Sequence, residues 1–240
     1  MHISQFQAVL FDLDETLLEN TRSFQDMAYD TYFQFRTDLD PVSADDFWQV
    51  FWSKAVDMWY MMIDGVITGD EARLYTFVNT LRALDADSGL AKPMLEDSHA
   101  RIVNATRLFE DTIPVLTRLR EAGLRLGIVT NGYATTQHGK IARHSLRPHV
   151  DFVVVSEEVG SHKPDPAIFG AAVSLAQSAP ARTLFVGDTF VNDIEGALGA
   201  GLRGVLVDPS GRMASGPSFQ GESVPSVRCL AELLPILGLE

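Results

Sequence analysis

The sequence predicts an α/β fold: a doubly wound, mainly parallel sheet in a Rossmann-like core, with an α-helical cap inserted after the first strand. Three observations predict it. Five short apolar runs each stop at a polar or glycine-bearing turn, helical patterns alternate with most of them, and residues 18–95 carry helical patterns alone.

The five runs are "AVLF" (8–11), "LRLGIVT" (124–130), "FVVVS" (152–156), "TLFVG" (183–187) and "GVLVD" (204–208). Continuous rather than alternating apolar residues are what a strand needs when both its faces are covered, as in a parallel sheet between helices. Between them, "VLTRLREAG" (115–123) and "PAIFGAAVSLAQ" (166–177) space their apolar residues by three and four, and Gly123 closes the first. The insertion holds "FWQVFWSKAVDMWYMMI" (47–63) and "DEARLYTFVNTLRAL" (70–84) and no convincing strand. Residues 209–227, rich in Gly, Ser and Pro, read as a loop before a short helix near 228–236. The expected domains are therefore a core of 1–17 and 96–240 and a cap of 18–95.

Composition narrows the function classes. Of 240 residues, 46% are apolar and 21% charged, enough for a real core. Nineteen Lys and Arg face 32 Asp and Glu, for a net charge of -13. Such a surface repels nucleic-acid polymers and anionic membranes. The single cysteine, Cys229, has no partner for an internal disulfide, and no segment reads as a signal peptide or membrane span, so the expected compartment is the cytoplasm.

Ligands of open α/β sheets bind outside the carboxyl ends of the strands. The first strand runs into Asp12 and Asp14, the second ends in Thr130 and Asn131, and the fourth in Gly187 and Asp188, with Asp193 five residues on. Lys163, in "GSHKPDPAIF", precedes the helix after the third. Carboxylates gathered at one sheet edge repel one another unless a cation sits among them, and oxygen-only donors suit Mg²⁺. A phosphate would complete such a cation's shell, with Lys163 and the Thr130 hydroxyl on its other oxygens. Those are the parts phosphoryl transfer requires. Of two aspartates at one strand end, one carboxylate can attack phosphorus and the other can serve as acid and then base.

"DLDET" (12–16), "VTNG" (129–132), "KPDPAIF" (163–169) and "GDTFVNDIEGA" (187–197), in this order, resemble the four motifs of the haloacid dehalogenase (HAD) superfamily. The helical insertion is similar to that family's small α-helical cap. The resemblance implies Asp12 as nucleophile and Mg²⁺ ligand, and Asp14 as general acid/base that also binds Mg²⁺ through its backbone carbonyl. It implies Thr130 and Lys163 on the phosphate, Asn131 chiefly through its backbone N–H, Asp188 as a direct Mg²⁺ ligand, and Asp193 beside the metal or behind it.

The dehalogenases that name the family lack a carboxylate two residues after the nucleophile, because halide leaves without protonation. Asp14 therefore favours hydrolysis of a phosphate ester. The forms "VTNG" and "SEEVGSHKPDPAIF" are similar to HAD nucleotidases acting on nucleoside monophosphates. Phosphoglycolate and sugar-phosphate phosphatases share much of the pattern; a phosphomutase, a 2-haloacid dehalogenase and a non-enzymatic binding protein on the same fold remain as further readings. The expected partner is a small phosphorylated metabolite. In the cap, Phe47, Trp48, Phe51, Trp52, Trp59 and Tyr60 fall at helical spacing and read first as core, second as a wall against a ligand. His138, His144 and His162 have no second His or Cys at a metal-like spacing.

Overall fold

A computed structural model describes residues 1–211 and 218–239. Residues 212–217, inside the expected 209–227 loop, lie outside that range. The chain divides into two compact units: Met1–Asn20, Arg107–Tyr133 and Ile141–Glu240 form the first, Thr21–Thr106 and Ala134–Lys140 the second.

The first unit is built on strands. They are β1 (Ala8–Phe11), β2 (Leu18–Asn20), β3 (Thr106–Leu108, whose first residue groups with the second unit), β4 (Arg125–Thr130), β5 (Phe152–Val155), β6 (Thr183–Gly187), β7 (Arg203–Val207), β8 (Ser218–Phe219), β9 (Glu222–Ser223) and β10 (Ser226–Val227). Six of them form one sheet in the order β10-β7-β6-β1-β4-β5, parallel at every junction. β1 is thus central, with Phe11 opposite Ile128 on one side and Val186 on the other. The period-two pleat sends Val9 and Phe11 to one face, with Leu126, Ile128, Leu184 and Val186, and Ala8 and Leu10 to the other, with Val129 and Phe185. Both faces are buried, which is why the strands read as unbroken apolar runs.

The second unit is helical, with α1 (Phe24–Phe35), α2 (Ala44–Ile63), α3 (Gly69–Ala83) and α4 (Ala91–Asn104). Ser23, Ser43 and Thr68 each accept a backbone N–H three residues on, and Thr68 with Glu71 completes a reciprocal cap. Phe47, Phe51, Phe77, Leu81 and Met94 form its core. The aromatic stripe of α2 therefore divides: Phe47 and Phe51 stack inside, while Trp52 and Tyr60 are exposed.

On the first unit's faces lie α5 (Thr112–Glu121), part of α6 (Ala134–Arg143), the single turn α7 (Ser156–Val159), α8 (Pro166–Ala176), the short α9 (Gly196–Gly199) and α10 (Leu233–Ile236). α5 and the C-terminal turn cover the Val9 face, α8 the Leu10 face.

Three sequence readings are corrected. Residues 18–20 are a strand, not the start of a helical stretch; β2 is a three-residue element pairing with β3, too short for periodicity to reveal. Residues 209–227 are not all loop: β8 and β9 pair antiparallel, and 226–227 are the larger sheet's edge strand β10, each only two residues long and too short to register. A boundary at 95/96 falls inside α4, and residues 134–140 group with the helical unit, where the Arg73 guanidinium donates to Thr135 Oγ1 at 3.1 Å and Thr136 Oγ1 lies 3.4 Å from His99 Nδ1.

Candidate active site

Because β1 lies between β4 and β6, the residues leaving all three strands meet at one edge. Asp12 is the first residue past β1, its N–H donating to Val186 O at 2.9 Å. Leu13 is fully buried and holds the turn down, and Asp14, half-buried, bridges to Leu18. Glu15 stands in the left-handed region, φ 54°, and its carboxylate accepts from the Asn20 backbone and side chain at 3.0 and 2.9 Å. It braces the loop.

Lys163 is the hub. It is only 3% exposed, and its Nζ lies 2.8 Å from Asp12 Oδ1 and 2.6 Å from Asp193 Oδ1, over the Phe185 ring at 5.4 Å from the centroid. Asp193, also buried, uses its other oxygen to accept the Thr189 N–H at 2.9 Å. It sits in a wide, π-type turn, Phe190–Glu195, that carries its carboxylate back against Gly187. A Cβ at Gly187 would stand 2.5 Å from Asp193 Cγ, so only glycine leaves room there. Gly187→Ala is accordingly expected to displace Asp193 and, through it, Lys163. Stability should fall by about 1–3 kcal/mol, as for other overpacked cores, and any turnover that depends on the Lys163 ammonium by about 10- to 100-fold, as when a positioning partner is lost. Steady-state kinetics beside thermal denaturation would check both.

Oxygens of Asp12, Asp188 and Asp193 all lie within 4.8 Å of one another. Three carboxylates against one ammonium leave two negative charges in a largely buried volume. Burial, more than this imbalance, shifts the acid strengths. Burial pushes the Asp12 carboxyl up to about 7, and the Asp193 charge adds to it, against the opposing pull of Lys163. Asp188 is raised to about 6, again by burial first and Asp193 second. Burial would weaken the Lys163 ammonium, but Asp12 and Asp193 outweigh it and hold its value above the usual lysine range. Lysine is thus the securely charged member. The donor chemistry fits a hard divalent cation, since every candidate ligand atom is oxygen and the excess charge is negative.

Thr130, the last residue of β4, is buried, and Asn131 and Gly132 follow it. The structure thus gathers Asp12, Lys163, Asp188 and Asp193 by direct contact or shared proximity, and sets Thr130 and Asn131 at the adjoining strand end. The Asp14 carboxylate is outside the cluster of three. Sequence reasoning missed two details. The Asn131 side chain, not only its backbone, is engaged: Nδ2 donates to Lys163 O at 2.9 Å and Oδ1 accepts the Lys163 N–H at 2.8 Å. Ser156 Oγ, at the end of β5, accepts the Gly132 N–H at 3.0 Å. A serine at the mouth of an apolar run was the one available signal for the second; nothing local signals the first.

Comparison with known proteins agrees in kind. The haloacid dehalogenase-like hydrolase family model matches residues 6–201. Pyrimidine 5'-nucleotidase YjjG of Escherichia coli is 30% identical over 197 residues, covering 81% of this chain and 82% of its own. Ribulose-1,5-bisphosphate 5-phosphatase of Halopiger xanaduensis is 31% identical over 211 residues, 85% of each chain. Among solved structures, the putative HAD-hydrolase YfnB of Bacillus subtilis, bound to magnesium, is 25% identical with a TM-score of 0.68, over 98% of this chain and 99% of that one.

Proposed function

The chain belongs to the haloacid dehalogenase-like hydrolases, and from that premise we propose that it is a Mg²⁺-dependent phosphatase of small phosphate monoesters, working through an aspartyl-phosphate. The observation that carries this reading is the buried Asp12–Lys163–Asp193 constellation, with Asp14 two residues beyond Asp12. The Asp12 carboxylate attacks phosphorus and the ester P–O bond breaks. The Asp14 carboxyl gives its proton to the departing alkoxide oxygen. In the second half, Asp14 takes a proton from water, the resulting hydroxide attacks phosphorus, and the P–O bond to Asp12 breaks to release inorganic phosphate. Lys163 and the Thr130 hydroxyl hold the phosphoryl oxygens throughout, and Asp193 fixes the lysine. Mg²⁺, held by Asp12, Asp188 and the Asp14 backbone carbonyl, would supply charge neutralisation at the phosphoryl group. YfnB, whose structure contains magnesium, supports that choice of cation.

Nucleoside monophosphates are the preferred substrates in this proposal, supported by the likeness to the nucleotidase YjjG. The likeness to a ribulose-bisphosphate phosphatase favours a second reading, a sugar phosphate. Phosphate release from a panel of nucleoside monophosphates, sugar phosphates and phosphoglycolate, with and without Mg²⁺ and with Asp12→Asn as blank, tests both. Release that needs metal and Asp12 is expected; metal-independent release, or none from the folded protein, would overturn the proposal.

The acid strengths give a test without substrate. Asp12 and Asp188 take up protons more readily folded than unfolded, so in the metal-free protein their contribution to stability falls as pH rises from the ordinary carboxylate value of 3.8 toward about 7 for Asp12 and about 6 for Asp188. A cation needs both groups ionised and competes with those protons. The rise in melting temperature on adding Mg²⁺ should therefore be larger near pH ~8 than near pH ~5. Equal shifts at both would count against these aspartates as ligands.

A further inference from the structure

We propose that the side chain of Asn131 is a positioning residue for Lys163, setting the place of its ammonium through a two-point clamp on its backbone; this rests on the phosphatase reading above. Lys163 lies between α7, which ends at Val159, and α8, which begins at Pro166, so no helix or strand ladder holds its peptide. Its side chain has four rotatable bonds, and where Nζ comes to rest depends first on where its Cα is fixed. The Asn131 amide supplies that fixture. Nδ2 donates to Lys163 O at 2.9 Å while Oδ1 accepts the Lys163 N–H at 2.8 Å, the two bonds a neighbouring strand would have made.

Only a short side chain carrying both a donor and an acceptor can do this from that distance. Aspartate has no donor, serine is too short, and glutamine adds a methylene. Asn131 directly follows Thr130, the last residue of β4, and Gly132 is anchored in turn by Ser156 Oγ at 3.0 Å. The hydroxyl and the ammonium assigned to the phosphoryl group are therefore held in register by one amide. Lys163 Nζ then meets Asp12 and Asp193 from a fixed root rather than by side-chain search.

The first test is a double-mutant cycle on phosphate release. Asn131→Ala should lower kcat by about 10- to 100-fold, the usual cost of losing an outer partner, while melting as a folded protein. In a Lys163→Ala background the same change should cost less than about threefold, because there is no ammonium left to position. An equal loss in both backgrounds would mean a general structural role and overturn the proposal. Asn131→Asp, of the same shape but without the donor, should reproduce the lowered kcat and the coupling, and full activity in it would likewise overturn the clamp.

The second test needs no turnover. The chain has four lysines, so with ¹⁵N-labelled lysine the Lys163 Nζ signal can be assigned by its loss in Lys163→Met. In Asn131→Ala or Asn131→Asp that signal should shift or broaden, with the other three unchanged. An unmoved Lys163 signal would overturn the clamp. Should the wild-type protein release no phosphate from any ester, the phosphatase reading fails, and this spectrum still decides the inference.

Discussion

Asp12→Asn is expected to reduce phosphate release by on the order of 10⁴-fold or more while leaving the protein folded. The amide has the carboxylate's shape, and its oxygen can still accept from Lys163 Nζ, now 2.8 Å from Asp12 Oδ1. It cannot attack phosphorus at any useful rate. Stability should move the other way. Burial raises the Asp12 carboxyl to about 7, so in metal-free buffer near pH ~8 the wild-type protein carries an ionised group that its surroundings disfavour. The neutral amide escapes that penalty. Asp12→Asn should therefore melt above the wild type at pH ~8 without metal, the difference shrinking toward pH ~5, where Asp12 is itself protonated. A variant that is both inactive and unfolded would say nothing for a nucleophile. One that keeps its turnover would remove Asp12 from the role.

How much of this the sequence discloses follows from length scale. β1, β4, β5, β6 and β7 each span four to six residues of nearly continuous apolar character, enough to register, and their order of appearance between helices specifies a parallel sheet. β2 and β10, at three and two residues, are held by pairing partners distant in the chain, and no local pattern can signal that. The same divide runs through the site. Asp12 and Asp188 could be picked out because strand ends collect ligands, and Lys163 from its place in "KPDP" ahead of the next helix. That Asn131 reaches across thirty-two positions to Lys163, or that Gly187 is glycine to make room for Asp193, is tertiary information. The grouping of residues 134–140 with the helical unit is of the same kind, since their partners there include Arg73 and His99, far upstream in sequence.

Lys163→Ala should carry the second largest effect, because one side chain holds a buried ion-pair network and, in the proposed reaction, the phosphoryl group as well. Removing the ammonium leaves Asp12 and Asp193 facing each other in a buried volume, and breaking a buried ion pair from one side typically costs about 3–5 kcal/mol. The aspartates can lessen that cost by taking up a proton, which moves the Asp12 carboxyl further upward and the activity profile toward higher pH. If Lys163 donates to the phosphoryl oxygens as proposed, its loss should lower kcat/KM by about 10²- to 10³-fold. Lys163→Met separates the two contributions, since it keeps the methylene stem over Phe185 and loses only the charge. If its kcat/KM falls as far as that of Lys163→Ala while its melting temperature falls less, the ammonium is the catalytic part and the stem the structural one. If Lys163→Met retains wild-type turnover, the charge has no part in phosphoryl transfer, and the arrangement of Asp12, Lys163 and Asp193 is an ion pair of the fold alone.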